Sequence, residues 1–167
     1  YWSCSNQGKD NRNQINVEEI SEYDIKKLIQ IDDSPLFHYE STNQPADGKI
    51  FQLLNNGQKV ILGNLKRGKP DGLWTKWHDN GNKIEEGNYN NGQLQGYFSL
   101  YHLNGSKSLE GSILHGKKNG LFAMYHENGI RSFRGEYFNG SGKGTWIYYN
   151  KDGEVIRKKD CDSEECI

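Results

Sequence analysis

The sequence has few of the features that stabilise a disulfide-rich protein or anchor a chain in a bilayer. Three cysteines among 167 residues are too few to build a fold mainly from disulfides. Uncharged apolar runs are only a few residues long, whereas a membrane-spanning helix needs roughly 20. With 21 basic and 22 acidic side chains, no excess of charge favours nucleic acid or an anionic membrane as partner.

The chain also has little material for a thick hydrophobic core. Only 33% of its residues are hydrophobic, and the mean hydropathy is −0.96. It does have 20 glycines and 12% aromatic residues, a pairing that suits thin structures in which aromatic rings pack between tight turns. We therefore expect an ordered chain without a thick core.

The glycines recur with a step of 24 residues. One column runs without a gap through Gly57, Gly81, Gly105, Gly129 and Gly153. Three further columns are Gly63, Gly87, Gly111 and Gly135; Gly68, Gly92, Gly116 and Gly140; and Gly48, Gly72, Gly96, Gly120 and Gly144. A fixed step of this kind indicates that one supersecondary unit is stacked repeatedly.

Two aromatic columns keep the same step. The first is Trp74, Phe98, Phe122 and Trp146, and the second is Trp77, Tyr101, Tyr125 and Tyr149. A turn signal follows each pair, as in Asn80-Gly81, and Asn-Gly is typical of the type I′ turn of a β-hairpin. A unit is thus predicted as a strand over Leu73 to Asp79, a tight turn, a strand over Lys83 to Tyr89, and a looser link to Gly96.

These units predict an all-β fold of stacked antiparallel β-hairpins that form an elongated, twisted sheet. A hairpin buries too few side chains to be stable alone, so most stabilisation should arise between neighbouring units. Trp74 and Trp77 differ by an odd number of residues, so strand alternation places the two aromatic columns on opposite faces.

The region before the regular units has a different pattern. Residues 1–15 are predicted as a flexible tether, because residues 5–15 are polar. Residues 16–32 carry apolar side chains at helical spacing, which predicts a short helix that caps the first hairpin; these side chains are Val17, Ile20, Ile25, Leu28 and Ile29. Leu36 to Glu40 is predicted as a strand, residues 33–160 as the repeats, and residues 161–167 as a tail.

The repeated motif resembles the MORN repeat in its 24-residue bacterial variant, which includes the antitoxin component of YwqK-type toxin–antitoxin systems. The segments that carry the resemblance are Gly72-Leu73-Trp74-Thr75-Lys76-Trp77 and Gly87-Asn88-Tyr89-Asn90-Asn91-Gly92. The resemblance covers about residues 36–158. It implies an elongated antiparallel sheet used for contacts with proteins, or with lipids in some relatives, and it implies no enzyme.

The functional prediction is a non-catalytic binding or scaffold protein of the bacterial cell envelope that holds another protein or a surface polymer. The candidate binding face is the row Trp77, Tyr101, Tyr125 and Tyr149, with the row headed by Trp74 as the alternative. A cytosolic antitoxin that neutralises a partner toxin is the second hypothesis. We expect no cofactor, no metal and no nucleic acid, because no catalytic motif or arranged pair of acid and base occurs.

The cysteines bear on localisation. Ser3-Cys4 followed by a polar tether resembles the end of a lipoprotein signal, so Cys4 is either a lipid anchor or an incidental cysteine. The chain begins at Tyr1, and we expect a longer precursor. Cys161 and Cys166 either form a disulfide in an oxidising compartment or remain free thiols.

Three other patterns have competing interpretations. His78, His102 and His126 also recur every 24 residues, and we expect solvent-facing side chains rather than a ladder of metal ligands. Gly140 to Thr145 resembles a phosphate-binding loop, but the spacing departs from that motif and a turn is favoured. The basic clusters at 66–67, 117–118 and 157–159 are expected to form a solvated face rather than a lipid or nucleic-acid site.

Overall fold

A computed structural model describes residues 22–30, 36–163 and 166. Its strands are β1 (Glu22–Asp24), β2 (Leu28–Gln30), β3 (Phe37–Tyr39), β4 (Gly48–Leu53), β5 (Lys59–Lys66), β6 (Lys69–Trp77), β7 (Lys83–Asn90), β8 (Gln93–Tyr101), β9 (Lys107–Leu114), β10 (Lys117–Lys118), β11 (Gly120–Tyr125), β12 (Arg131–Phe138), β13 (Ser141–Tyr149) and β14 (Val155–Asp160). A 3-10 turn over Ile25–Lys27 joins β1 to β2.

The described strands form one long mixed sheet and one small one. From β4 to β14 each strand pairs antiparallel with its neighbours along the chain, with the short β10 beside β9. β1 adds to the free edge of β4 as the parallel partner, and β2 pairs with β3 in a separate two-stranded sheet. The predicted β class, with consecutive hairpin-like strands, is confirmed.

The tight type I′ turns and the looser loops occur at the opposite positions from those predicted. The type I′ turns are the links predicted to be looser: in one of them Asn91 has φ 51° and Gly92 has φ 83°, so both central residues lie in the left-handed region. At the Asn-Gly signals only the glycine does. Gly81 N–H donates to His78 O at 2.9 Å, and His78 N–H donates to Asn82 O at 2.8 Å. These hydrogen bonds define a three-residue hairpin loop that ends in a β-bulge. An Asn-Gly pair fits this loop as well as it fits a type I′ turn.

The predicted capping helix is wrong for the part of it that the structure describes. Residues 22–30 form β1, the 3-10 turn and β2, while residues 16–21 and 31–32 lie outside the described residues. Tertiary contacts outweigh the helical spacing here: β1 gains a parallel ladder with β4, and Ile25 and Leu28 pack on the first hydrophobic cluster. Tyr23 lies against Tyr39 with ring centroids 4.8 Å apart.

The second glycine column is explained by the first aromatic column. The rings of Trp74, Phe122 and Trp146 lie across the glycine of the preceding strand, so that a Cβ on Gly111 would be 2.4 Å from Phe122 Cε1. At Gly87 the side chain of Leu94 takes the place of the ring. A Cβ on Gly63 would be 2.4 Å from Trp74 Cε3. This face of the sheet, which we call the core face, therefore requires glycine beneath these three rings because no larger residue leaves room for them.

Two hydrophobic clusters stabilise the sheet, one near each end. The N-terminal cluster consists of Ala46, Ile50, Leu62, Leu65 and Trp74. The C-terminal cluster consists of Phe122, Phe133, Tyr137, Trp146 and Cys166.

Candidate interaction surface

The second aromatic column lies on the face opposite the core face, as strand alternation requires. We call it the ion-pair face, because paired lysines and glutamates run beside the rings. Trp77, Tyr101, Tyr125 and Tyr149 are all half-buried. Equivalent rings lie on every second strand, so roughly 9–10 Å separates neighbours in the row.

Three of the four rings in this row have a cation beside them. Lys83 Nζ lies 5.9 Å from the Trp77 ring centroid and 5.8 Å from that of Tyr101. The Arg131 guanidinium is 5.9 Å from the Tyr125 ring. Trp77 also donates its indole N–H to Ile61 O at 2.9 Å. The predicted binding row is therefore a mixed surface of rings and charges, which is typical of surfaces that recognise proteins.

A repeated ion pair lies next to the row. Lys83 contacts Glu86, and Lys107 Nζ is 2.6 Å from the Glu110 carboxylate. Residues three apart on a strand normally face opposite ways. A bulge in each hairpin, between Lys76 and Trp77 in the first of them, puts both partners on one face.

Glu110 is the centre of the largest polar network on this face. Its carboxylate accepts hydrogen bonds from Lys107, from the Tyr125 hydroxyl and from the Tyr97 hydroxyl. Partial burial raises the pKa of Glu110, but these three donors outweigh burial and lower the pKa to about 2. Burial and the hydrogen bond to Glu110 raise the pKa of Tyr125. The hydrogen bond to Glu110 likewise raises the pKa of Lys107.

A depression of about 500 Å³ opens beside this network. Its floor includes the buried Ala123, and Arg131 and Arg134 lie along one side. The other lining residues are Tyr97, Glu110, Ser112, Leu121 and Phe122. This depression has the lining expected of a contact site, because apolar, aromatic and cationic groups converge there.

No protein-family model matches the chain, and no curated protein matches it.

Two histidines of the column have a structural role instead of the predicted solvent-facing one, and the third, His78, is half-buried. The Nε2 of His102 donates to Tyr125 O at 2.9 Å, and the Nε2 of His126 donates to Tyr149 O at 3.2 Å. Both side chains are half-buried. Each of these two histidines thus links its own unit to the next one, and the described residues contain no group of three or more potential metal ligands.

The asparagines of the Asn-Gly loops form a parallel ladder. Asn80, Asn104 and Asn128 each donate a side-chain N–H to a backbone carbonyl in the following loop, at 3.1, 2.9 and 2.9 Å. The Oδ1 of Asn104 also accepts from Ser106 N–H at 2.9 Å within its own loop. The asparagine column therefore serves both the turn and the stacking of units.

The remaining predicted residues have the following positions. Cys161 and Cys166 form a disulfide with sulfurs 2.09 Å apart, while Cys4 and the tether lie outside the described residues. In the loop that resembles a phosphate site, Gly142 N–H donates to Cys166 O and Gly144 N–H to Asp162 Oδ1. The turn itself is formed by Asn139 and Gly140, whereas Ser141 to Thr145 already belong to strand β13, so the predicted turn is shorter than the motif.

The sequence prediction missed the ion pairs and the arginines that follow them. They have the same step of 24: Lys83, Lys107 and Arg131 form one column, and Glu86, Glu110 and Arg134 another. This periodicity is visible in the sequence. The ion pairs could not be predicted from this periodicity alone, because residues three apart lie on opposite faces of a strand unless a bulge lies between them.

No helix among the described residues is long and apolar enough to cross a membrane.

Proposed function

We propose that this chain is a non-catalytic repeat protein of the MORN type that binds another protein through its ion-pair face. The observation that carries the proposal is a strip of exposed apolar side chains beside the aromatic row. Leu73, Tyr97 and Leu121 are 54%, 48% and 61% exposed and recur at the same step of 24. A periodic strip of this kind on a one-layer sheet suits the docking of a protein chain.

The assignment to the MORN type is supported by what each repeated position does. A glycine lies under the rings of Trp74, Phe122 and Trp146, and the asparagines of successive Asn-Gly loops each bond to the following loop. These contacts join units rather than build a cavity for chemistry. A binding or scaffold protein is therefore favoured over an enzyme.

We place the protein in the bacterial cell envelope, exported and lipid-anchored at Cys4. The disulfide between Cys161 and Cys166 suits an oxidising compartment. Fractionation of the source cells with an intact mass of the native N-terminus tests this. A lipid-sized increment on Cys4 in the membrane fraction supports the proposal, whereas an unmodified chain in the cytosol favours the alternative, an antitoxin bound to its toxin.

The interface itself is tested with two matched variants of exposed leucines. Leu121 is 61% exposed on the ion-pair face, and Leu103 is 64% exposed in an Asn-Gly loop. Partners captured from source-cell extract by the full chain are identified, and their affinities are measured by interferometry. We expect Leu121→Ser to weaken binding about tenfold or more and Leu103→Ser to have little effect. Equal affinity of both variants and the wild type would exclude this face as the interface.

A further inference from the structure

Counting the hairpin of β4 and β5 as the first unit, the Lys–Glu ion pair occurs in the second and third units only, and the fourth unit has two cations at the same positions. Units two and three carry Lys83 with Glu86 and Lys107 with Glu110. In the next unit the equivalent residues are Arg131 and Arg134. Arg131 takes the position of the lysine, and Arg134 takes the position of the glutamate. A pair of opposite charges therefore becomes a pair of positive charges.

In the earlier units the ion pair covers a small residue on the neighbouring strand. Thr75 lies opposite Glu86, and Ser99 lies opposite Glu110. These two floor residues are only 6% and 2% exposed, although no other described strand of the protein packs over this face. In both units the carboxylate neutralises the cation beside it.

In the fourth unit the floor residue is Ala123, opposite Arg134. Arg131 and Arg134 both line the depression of about 500 Å³ above it. Within the described part of the chain, no carboxylate lies within 4.0 Å of either guanidinium. The depression therefore lies at the unit that follows the two ion pairs, where Arg134 stands at the position of the carboxylate.

The carboxylate nearest to the two arginines in the depression already has other partners. Glu110 lines the same depression, but its carboxylate is bonded to Lys107, Tyr97 and Tyr125. Glu136, two residues after Arg134, lies opposite Lys143 on β13. The described residues thus supply two cations at this position and no carboxylate that pairs with them.

We propose that Arg131 and Arg134 bind a carboxylate side chain from an acidic segment of a partner protein. This carboxylate takes the place that Glu86 and Glu110 occupy in the earlier units. Guanidinium groups bind carboxylates through paired charge-assisted hydrogen bonds. The exposed Leu121 and Tyr97 at the same depression accommodate an apolar residue beside the acid. The inference rests on the proposed binding function and specifies the chemistry of the partner.

The test uses the full chain and a fluorescein-labelled peptide Glu-Glu-Leu-Glu-Glu, with affinity measured by fluorescence anisotropy at low salt. Arg134→Glu restores the cation and carboxylate pattern of units two and three, so the fold should be kept and the depression should close. We expect about tenfold weaker binding in this variant. Arg134→Lys keeps the charge but loses the guanidinium fork, and we expect an effect of about threefold.

Lys151→Glu is the matched control, because Lys151 is exposed in the last loop and the change in charge is the same. Binding within about twofold of the wild type is expected, because only charges close to the site act strongly on the peptide. An equal loss in Arg134→Glu and Lys151→Glu would overturn the proposal, since it would show that net charge alone attracts the peptide. Amide shifts of the ¹⁵N-labelled chain should centre on Ser112, Ala123 and Arg134, and shifts spread over all basic residues would contradict it.

Inorganic phosphate and phosphatidylglycerol vesicles test the other anions. Neither should displace the peptide at equal concentration of negative charge. Tighter binding of either one that depends on Arg134 would reject a carboxylate in favour of a phosphate or a lipid surface.

A captured partner separates this inference from the proposed function. If the partner stays bound to Arg134→Glu but is lost from Leu121→Ser, the acidic segment is wrong and the interface stands. If both variants retain the partner fully, the face itself is not the interface.

Discussion

The N-terminal and C-terminal ends of the sheet bury their apolar side chains in different ways. At the N-terminal end, the cluster around Ala46 and Ile50 lies beneath a second layer of chain that includes Ile25, Leu28 and Phe37. At the C-terminal end, aromatic rings cover one another along the surface of a single layer. Tyr137 lies 4.9 Å from Phe122 and 5.0 Å from Trp146 between ring centroids.

The difference shows how a chain with few hydrophobic residues can form an ordered sheet. An aliphatic side chain becomes fully buried only when another element covers it, as Ile50 is at 0% exposure. An aromatic ring buries roughly 150–250 Å² and can be covered by its neighbours in a row. Rings therefore replace the second layer where the chain supplies none, apart from the Cys161–Cys166 turn that closes the last unit.

The largest expected effect comes from removing one side chain from each cluster. Ile50→Ala should lower the free energy of unfolding by about 3 kcal/mol, and Phe122→Ala by about 4 kcal/mol, because a buried ring loses more contact area than an isoleucine. Urea denaturation measures the totals, and hydrogen exchange locates them. We expect Phe122→Ala to expose amides of β11 to β14 first, and Ile50→Ala those of β4 and β5.

Uniform loss of exchange protection over all strands in both variants would contradict this comparison. The sheet would then unfold as one unit, and the two clusters would not be energetically separate.

The second test asks whether the contact between ring and glycine is the same at both ends. A Cβ on Gly63 would meet Trp74 Cε3 at 2.4 Å and Leu73 O at 2.8 Å, whereas one on Gly111 would meet only the ring of Phe122, at 2.4 Å. Gly111→Ala should cost about 2 kcal/mol and Gly63→Ala about 3 kcal/mol, since a backbone oxygen yields less readily than a ring.

Gly116→Asn is the control for this pair in thermal or urea unfolding. Gly116 has φ 75° and nothing within 4 Å of its Cβ position, and asparagine tolerates this conformation. Its cost should be small. A cost as large as that of Gly111→Ala would show that backbone freedom, rather than the ring, accounts for the glycine columns.

The periodicity of the sequence was sufficient to predict the hairpin-like strands, because glycine and aromatic columns recur at every unit. It was insufficient for the turns, since Asn-Gly suits both a type I′ turn and a bulged loop, and the choice depends on strand register. It failed at residues 22–30, where helical spacing competes with a ladder to β4. The pairing of Lys107 with Glu110 depends on a bulge, and no single residue type in the sequence predicts that bulge.

The smallest expected effect concerns Glu110, whose position is taken by Arg134 in the next unit towards the C-terminal end. The folded protein lowers the pKa of Glu110 from 4.5 to about 2. A lowered pKa in the folded state means that this contribution to stability is complete above pH 4.5 and is lost as the pH falls towards 2. Allowing for solvent screening of a partly exposed group, we expect a contribution of about 1 kcal/mol.

Glu110→Gln isolates this contribution from those of the other acids. Urea unfolding at pH 6 and pH 3 should show a fall in the free energy of unfolding that is about 1 kcal/mol larger in the wild type than in the variant. Since Arg134 replaces the acid in the next unit, Arg134→Gln should leave the pH dependence of the wild type unchanged. Identical pH dependence of the free energy of unfolding in the wild type and Glu110→Gln would contradict this prediction. It would mean that Lys107, Tyr97 and Tyr125 stabilise the ionised carboxylate no better than water does.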